Sequence, residues 1–238
     1  VEHAFDQQYA TKLGVDVPAL YMSQPLTLEE TMDTVRAFIT TKEIDLIIVD
    51  SVASMAPKAE VEAVEMLKES PMAMKARLLD KALRIMTPQI SETKTTVIFI
   101  NQIRDNVGVM YGPKETTPGG RALKFFSSIR LLVKHGEKIM DKNDEKIGNE
   151  IIIKAVKNKL APPERERTVE LYYGTGIDMA SDMFNGAIDT GIVEKSGNTY
   201  LYGKEKLGVG RAQAIETLRT NKEMYDTIQG HLGGERKE

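Results

Sequence analysis

The chain has 238 residues, enough for one large domain or for a domain with a small companion. Hydrophobic residues make up 41%, which is sufficient for a packed core and argues against wholesale disorder. There is no cysteine, which excludes disulfide frameworks, thiolate metal sites and cysteine nucleophiles, and a net charge of −3 gives no global nucleic-acid footprint. In chain order, residues 27 to 43 read first as a helix. Thr27 and Glu30 make a capping-box pattern, and Leu28, Met32, Val35 and Ile39 recur on one face. The run IDLIIVD (44–50) is continuously apolar and β-branched, as in a strand buried on both faces. A second helical stripe follows with Leu79, Leu83, Met86 and Ile90, where Pro88 predicts a kink or an early end. TTVIFINQ (95–102) then reads as another doubly buried strand.

Helix, strand, helix, strand with apolar strands predicts a mainly parallel α/β sheet flanked by helices. IRLLVKH (129–135), EIIIKAVKNK (150–159) and TVELYYG (168–174) are further strands with no long helical pattern between them. They are expected as hairpin-connected, antiparallel extensions of that sheet. Near Ile177 the character changes to short helices and a hairpin, VEKSGNTYLY (193–202), with Ser-Gly-Asn as turn chemistry. The expected division is therefore a core over 1–176 and a small α+β C-terminal domain over 177–238, with a frayed tail at 233–238.

Between Asn101 and Phe125 lies a segment rich in glycine and proline that carries Arg104, Lys114, Arg121 and Lys124. A loop of this length that leaves a buried strand is a functional candidate, because open α/β sheets place ligands at that edge. Asp50 and Gln102 end the two apolar strands. A carboxylate at the first position suits magnesium held through water, and an amide at the second can report a terminal phosphate to the loop beyond it. Both have plainer readings: Asp50 and Ser51 as turn or cap residues, Gln102 as a polar strand end. His3, His135 and His231 are scattered, which argues against zinc. No apolar run approaches the roughly 20 residues of a membrane span, and no signal-peptide pattern is present.

LIIVDSVASMAPKAE (46–60) resembles the second nucleotide motif of the bacterial and phage RecA recombinase family. FINQIRDNVGVMYGPKETTPGGRALKFFSSIR (99–130) is similar to that family's second DNA loop and the signature after it. AVKNKLAPP (155–163), ELYYGTGI (170–177), EHAFDQQYATKLGVD (2–16) and IVEKSGNTYLYGKEKLGVGRAQA (192–214) complete the resemblance in the family's order. Ile129 is a small departure where valine or methionine is usual.

The resemblance implies a RecA-like P-loop ATPase core with a small C-terminal domain. It implies a DNA-dependent ATPase that forms helical filaments on single-stranded DNA, drives strand exchange with double-stranded DNA, and uses ATP and Mg2+ in the cytoplasm. Glu2 matches the glutamate that activates the attacking water, and Gln102 the γ-phosphate sensor. Asp6, Tyr9, Tyr173 and Gly174 match adenine-side positions, Asp50 the magnesium-linked aspartate, and Ser51 its neighbour. Lys157 and Lys159 match lysines that reach the ATP of the next subunit, where cations neutralise developing phosphoryl charge. Lys124, Phe125 and Arg130 match a subunit interface. For DNA, Met72, Arg84, Arg104, Val107, Gly108, Val109, Met110, Gly119 and Gly120 are the matching positions. By pattern alone, Tyr9 also reads as an amphipathic-helix residue, the two lysines as a solvated strand edge, and Phe125 as core. Residues 62–72 depart from the family's short glycine-containing DNA loop, with Glu62, Glu65 and Glu69 against Lys68.

No G-x-x-x-x-G-K-[ST] occurs in these 238 residues, although that loop supplies the phosphate cradle. The chain is accordingly expected to be a partial sequence, unable as given to hydrolyse ATP. The other class left open is a non-hydrolysing relative that binds DNA or intact subunits.

Overall fold

The structure is a computed structural model that describes residues 5–62, 71–105 and 115–234. Near the front, Gln7–Lys12 forms the short helix α1, and Val17–Ala19 a 3-10 turn. Thr27 then caps α2 (Leu28–Thr41), its hydroxyl accepting the Glu30 N–H at 3.2 Å. The Glu30 carboxylate accepts from the Leu26 N–H at 3.0 Å, one residue further back than a standard capping box. Lys42 adopts a left-handed conformation at φ 61° and closes the helix, just short of the predicted residue 43. Leu28, Met32, Val35 and Ile39 are all buried, as their spacing predicts.

β1 (Leu46–Val49) is followed by the single turn α3 (Lys58–Val61) and the long helix α4 (Pro71–Thr93). Leu79, Leu83 and Met86 are buried on α4, with Ile90 packed beside them. α4 runs through Pro88 instead of ending there. Proline removes the hydrogen bond to the Arg84 carbonyl, but the buried stripe on both sides of it holds the helix together.

β2 (Thr96–Phe99) pairs with β1 in parallel, Leu46 opposite Thr96 and Val49 opposite Phe99. The expectation that both strands are doubly buried is not met. Ile47 and Val49 face the core formed with α2 and α4, whereas Leu46 and Ile48 are 50% and 57% exposed. Among the described residues of this unit the helices cover one face of the pair, so a continuous apolar run presents its alternate members to solvent. The chain continues through β3 (Arg104–Asp105), β4 (Glu115–Thr116) and α5 (Ala122–Phe126).

β5 (Ile129–Met140), β6 (Lys146–Asn158), β7 (Glu166–Tyr172) and β8 (Gly176–Ile177) form a four-stranded sheet in that order. β6, β7 and β8 pair antiparallel with tight connections, as predicted. Among the described residues these strands hydrogen-bond as one four-stranded sheet.

α6 (Met179–Asp189), β9 (Glu194–Ser196), β10 (Thr199–Tyr202), β11 (Glu205–Val209), α7 (Arg211–Thr220) and α8 (Lys222–Gly234) complete the chain. The predicted hairpin is β9–β10, with Ser196 opposite Thr199 across Gly197–Asn198 and Gly197 at φ 59°. Phe184, fully buried, meets Tyr200 edge-on at 5.0 Å in the centre of this core. α8 includes Gly233 and Gly234, and the rest of the predicted frayed tail, 235–238, lies outside the described residues.

The chain divides into two compact units, 1–7 with 15–130 and 8–14 with 131–238. The first contains the parallel pair and its helices. The second contains most of the antiparallel sheet, the C-terminal helices and strands, and the body of α1, whose neighbour Leu13 packs on Gly176. No helix among the described residues is long and apolar enough to cross a membrane.

Candidate functional site

In the first unit, the carboxyl ends of β1 and β2 lie side by side. The ladder runs on past them: Ile100 N–H donates to the Val49 carbonyl at 3.0 Å, and Val52 N–H to the Ile100 carbonyl at 2.8 Å. Asp50 is exposed at this edge, and the Asp50–Ser51 peptide is cis. Ser51 is buried, with its carbonyl accepting from the Ser54 hydroxyl at 2.9 Å. The turn after Asp50 is tied to α4, because the Lys75 ammonium donates to the Ala53 carbonyl at 3.1 Å. Lys75 is only 8% exposed, and burial lowers its pKa, with Glu60 opposing the shift.

Gln102 stands three residues past β2 and is exposed, and its side-chain carbonyl accepts from Arg104 Nη2 at 2.6 Å. Arg104 belongs to β3, which pairs antiparallel with β4, Arg104 opposite Thr116 and Asp105 opposite Glu115. The predicted loop therefore has a stem, and the Gln102 amide is bonded to a residue of that stem. Asn101 closes the stem below: its side-chain N–H donates to the Pro118 carbonyl at 2.9 Å, and its Oδ1 accepts the Gln102 N–H at 2.9 Å.

Gly119 and Gly120 follow with φ of 86° and 70°. A Cβ on Gly119 would lie 2.5 Å from Leu79 Cδ1, and one on Gly120 2.8 Å from Ala76 Cβ. Gly119 is buried against the core and Gly120 is exposed. Met72, at the start of α4, is 75% exposed, and Arg84 is exposed and paired with Asp80 at 3.0 Å. On α5, Lys124 is exposed and Phe125 is 67% exposed, which rules out the reading of Phe125 as core. Arg130 is half-buried on β5. Asp6, at the front of this unit, is exposed.

The second unit holds Tyr9, Lys157, Lys159, Tyr173 and Gly174. Tyr173 follows β7 and is 53% exposed. A hydrogen bond from Lys146 lowers its pKa, and Asn149, which donates to the hydroxyl at 3.0 Å, acts in the same direction. Gly174 has φ 81° and open space around its missing Cβ. Lys157 lies on β6 and Lys159 just beyond it, where Asn158 Oδ1 accepts the Leu160 and Ala161 N–H groups and turns the chain. Tyr9 is 37% exposed on α1. Glu2, Val107, Gly108, Val109 and Met110 lie outside the described residues, as does the interior of the 62–72 segment.

Among the described residues no three carboxylates or histidines gather as a metal cluster. Asp50 stands after β1 as an exposed carboxylate, a residue type that could hold magnesium through water. Sequence reasoning did not single out Asn101, Lys75 or Asn158. Each acts on main-chain groups, and for Asn101 and Lys75 the partner is 17 and 22 residues away. Only the doublet Asn101–Gln102 at a strand end gave a local hint.

A family model described as the RecA N-terminal domain matches residues 1–178, and one described as the RecA C-terminal domain matches 181–234. Protein RecA of Thermus aquaticus is 46% identical over 231 residues, covering 97% of this chain and 67% of the relative. Protein RecA of Bacillus subtilis strain 168 is 46% identical with 97% and 66% covered, and that of a Thermus thermophilus strain 43% identical with 97% and 67%. The chain thus spans about two thirds of the length of these relatives.

Proposed function

Because the chain belongs to the RecA family of ATP-driven DNA recombination and repair proteins, we propose that it acts as the core of a DNA-dependent ATPase that assembles on single-stranded DNA and drives strand exchange. The observation that carries this reading is the bond between Gln102 and Arg104. An amide beside the candidate magnesium aspartate is joined to the stem of the candidate DNA loop. A phosphate arriving at Gln102 accepts from the amide Nε2–H; turning the amide toward it draws Oε1 away from Arg104, frees the guanidinium and so changes the stem of the loop that meets DNA.

In this reading Asp50 holds Mg2+ through water, with Ser51 bracing the turn behind it. Asp6, Tyr9, Tyr173 and Gly174 contact the adenine side of ATP. Lys157 and Lys159 reach the ATP of a neighbouring subunit, and Glu2 positions the attacking water. Lys124, Phe125 and Arg130 line the contact between subunits, a role supported by the exposure of the Phe125 ring. Met72, Arg84, Arg104, Val107, Gly108, Val109, Met110, Gly119 and Gly120 meet DNA through backbone- and shape-based contacts that tolerate any sequence, as a homology search requires. Residues 1–176 form the ATPase core and 177–238 the accessory C-terminal domain, in the cytoplasm.

Gln102→Ala tests the central claim. Single-stranded DNA affinity is measured for the full-length protein with and without a non-hydrolysable ATP analogue. The nucleotide-dependent gain is expected to disappear in the variant, and an unchanged gain rejects the sensor role.

A further inference from the structure

We propose that Asn101 is a positioning residue that closes the base of the candidate DNA loop and holds its two legs in register. The proposal rests on the reading of that loop as the DNA-binding element, but its structural half is tested separately.

Two anchored legs meet at this point. The entering leg continues β2, whose backbone is bonded to β1 up to Ile100. The leaving leg is seated on α4 by Gly119 and Gly120, where no side chain fits against Leu79 and Ala76. Between these anchors the chain leaves the sheet at Asn101 and returns at Pro118. Proline has no N–H to join a ladder, so the link there runs through its carbonyl to a side-chain donor. Asn101 supplies that donor at 2.9 Å and spends its other half on the Gln102 N–H at 2.9 Å. Both halves of one amide are thus engaged, one on each leg.

Neither the isosteric acid nor an apolar side chain reproduces this. Aspartate keeps the acceptor and loses the donor; leucine, of similar size, offers neither. Among the described residues two ladder pairs, Arg104–Thr116 and Asp105–Glu115, join the legs above the clasp. A two-stranded ladder is marginally stable by itself, so its persistence depends on the closed base. The clasp also sets where Gln102 begins, because the atom that bonds Pro118 is carried by the residue that orients the Gln102 backbone.

Hydrogen exchange on the wild type, Asn101→Asp and Asn101→Ala, together with binding of an oligo-dT strand followed by fluorescence anisotropy, decides the matter. In Asn101→Asp the amides of segments 103–105 and 115–117 are expected to exchange at least tenfold faster, while those of β1 and β2 keep wild-type protection. Asn101→Ala is expected to add faster exchange at Gln102 itself. Oligonucleotide affinity falls severalfold in both variants. A variant that merely destabilised the fold would raise exchange across β1 and β2 as well. Unchanged stem exchange, or exchange raised everywhere equally, overturns the clasp. Wild-type protein that fails to bind the oligonucleotide overturns the DNA reading and leaves the exchange result to decide the clasp.

Discussion

Lys75 is only 8% exposed, and its ammonium donates to the Ala53 carbonyl. Burial lowers its pKa below the usual 10.5, and the nearby Glu60 only partly compensates. The folded state therefore releases this proton more readily than the unfolded chain does. Between the lowered pKa and 10.5 the unfolded state binds more protons, so stability rises with pH across that window and is flat below it. Lys75→Met removes the titration. Urea midpoints of the two proteins from pH 8 to 10.5 are expected to diverge in favour of the wild type as pH rises, and parallel curves would dismiss the effect. A second residue-scale contrast concerns glycine. Gly120→Ala adds a left-handed strain at φ 70° and a contact 2.8 Å from Ala76 Cβ, on a helix that cannot yield. Gly174→Ala adds a similar strain at φ 81° with nothing within 4 Å. Gly120→Ala is expected to cost roughly 2–4 kcal/mol and Gly174→Ala about 1 kcal/mol in urea denaturation, because only the first combines strain with overpacking.

The helix α2 shows which parts of an element are local. Its cap and its stripe depend on neighbours within four residues and were legible in the sequence apart from the exact partner of Glu30, whereas the left-handed end at Lys42 was not foreseen. Thr27→Ala, which removes the hydroxyl that accepts the Glu30 N–H, is expected to cost about 1 kcal/mol, read as a shift in urea midpoint with unchanged slope. β1 shows the opposite case. IDLIIVD has the composition of a strand covered on both faces, but cover is supplied by other elements, and composition does not report whether Leu46 and Ile48 receive it. Pro88 allowed a kink or an early end, and the early end does not occur: Leu83, Met86 and Ile90 pack on one core and carry α4 past it. At the candidate site, Asp50 and Gln102 could be located as strand ends, and the family resemblance was needed to give them roles. Asn101 was not legible as a clasp, since its partner Pro118 lies on the far side of a loop.

At the scale of the molecule, the two family models meet between residues 178 and 181, yet the compact units divide near 130. The difference has a physical basis within the second unit. Glu170 of β7, Ser181 and Asn185 of α6 and Arg211 of α7 share one guanidinium: Arg211 Nη2 lies 3.0 Å from Glu170 Oε1, 2.9 Å from Ser181 Oγ and 3.2 Å from Asn185 Oδ1. Ser181 and Tyr172 each donate to the Glu170 carboxylate at 3.0 Å. Arg167 of β7 bonds Asp182 at 2.9 Å and Asp189 at 2.6 Å, while Arg219 of α7 pairs with Asp178 at the start of α6. The antiparallel sheet and the C-terminal helices are therefore held by charge-assisted bonds, and those to Asp178, Glu170 and Asp182, whose carboxylates are largely shielded from water, exceed exposed ion pairs in strength. The sheet and the C-terminal domain should then unfold as one cooperative body. Arg211→Met keeps most of the side chain's bulk, removes the shared donor and leaves Glu170 without its cation. A loss of about 1–3 kcal/mol is expected. Hydrogen exchange should rise together in β7, α6 and α7, because the lost contact belongs to all three. Faster exchange confined to α7, with β7 protection unchanged, would mean that the C-terminal domain unfolds independently of the sheet and that the network adds no cooperativity.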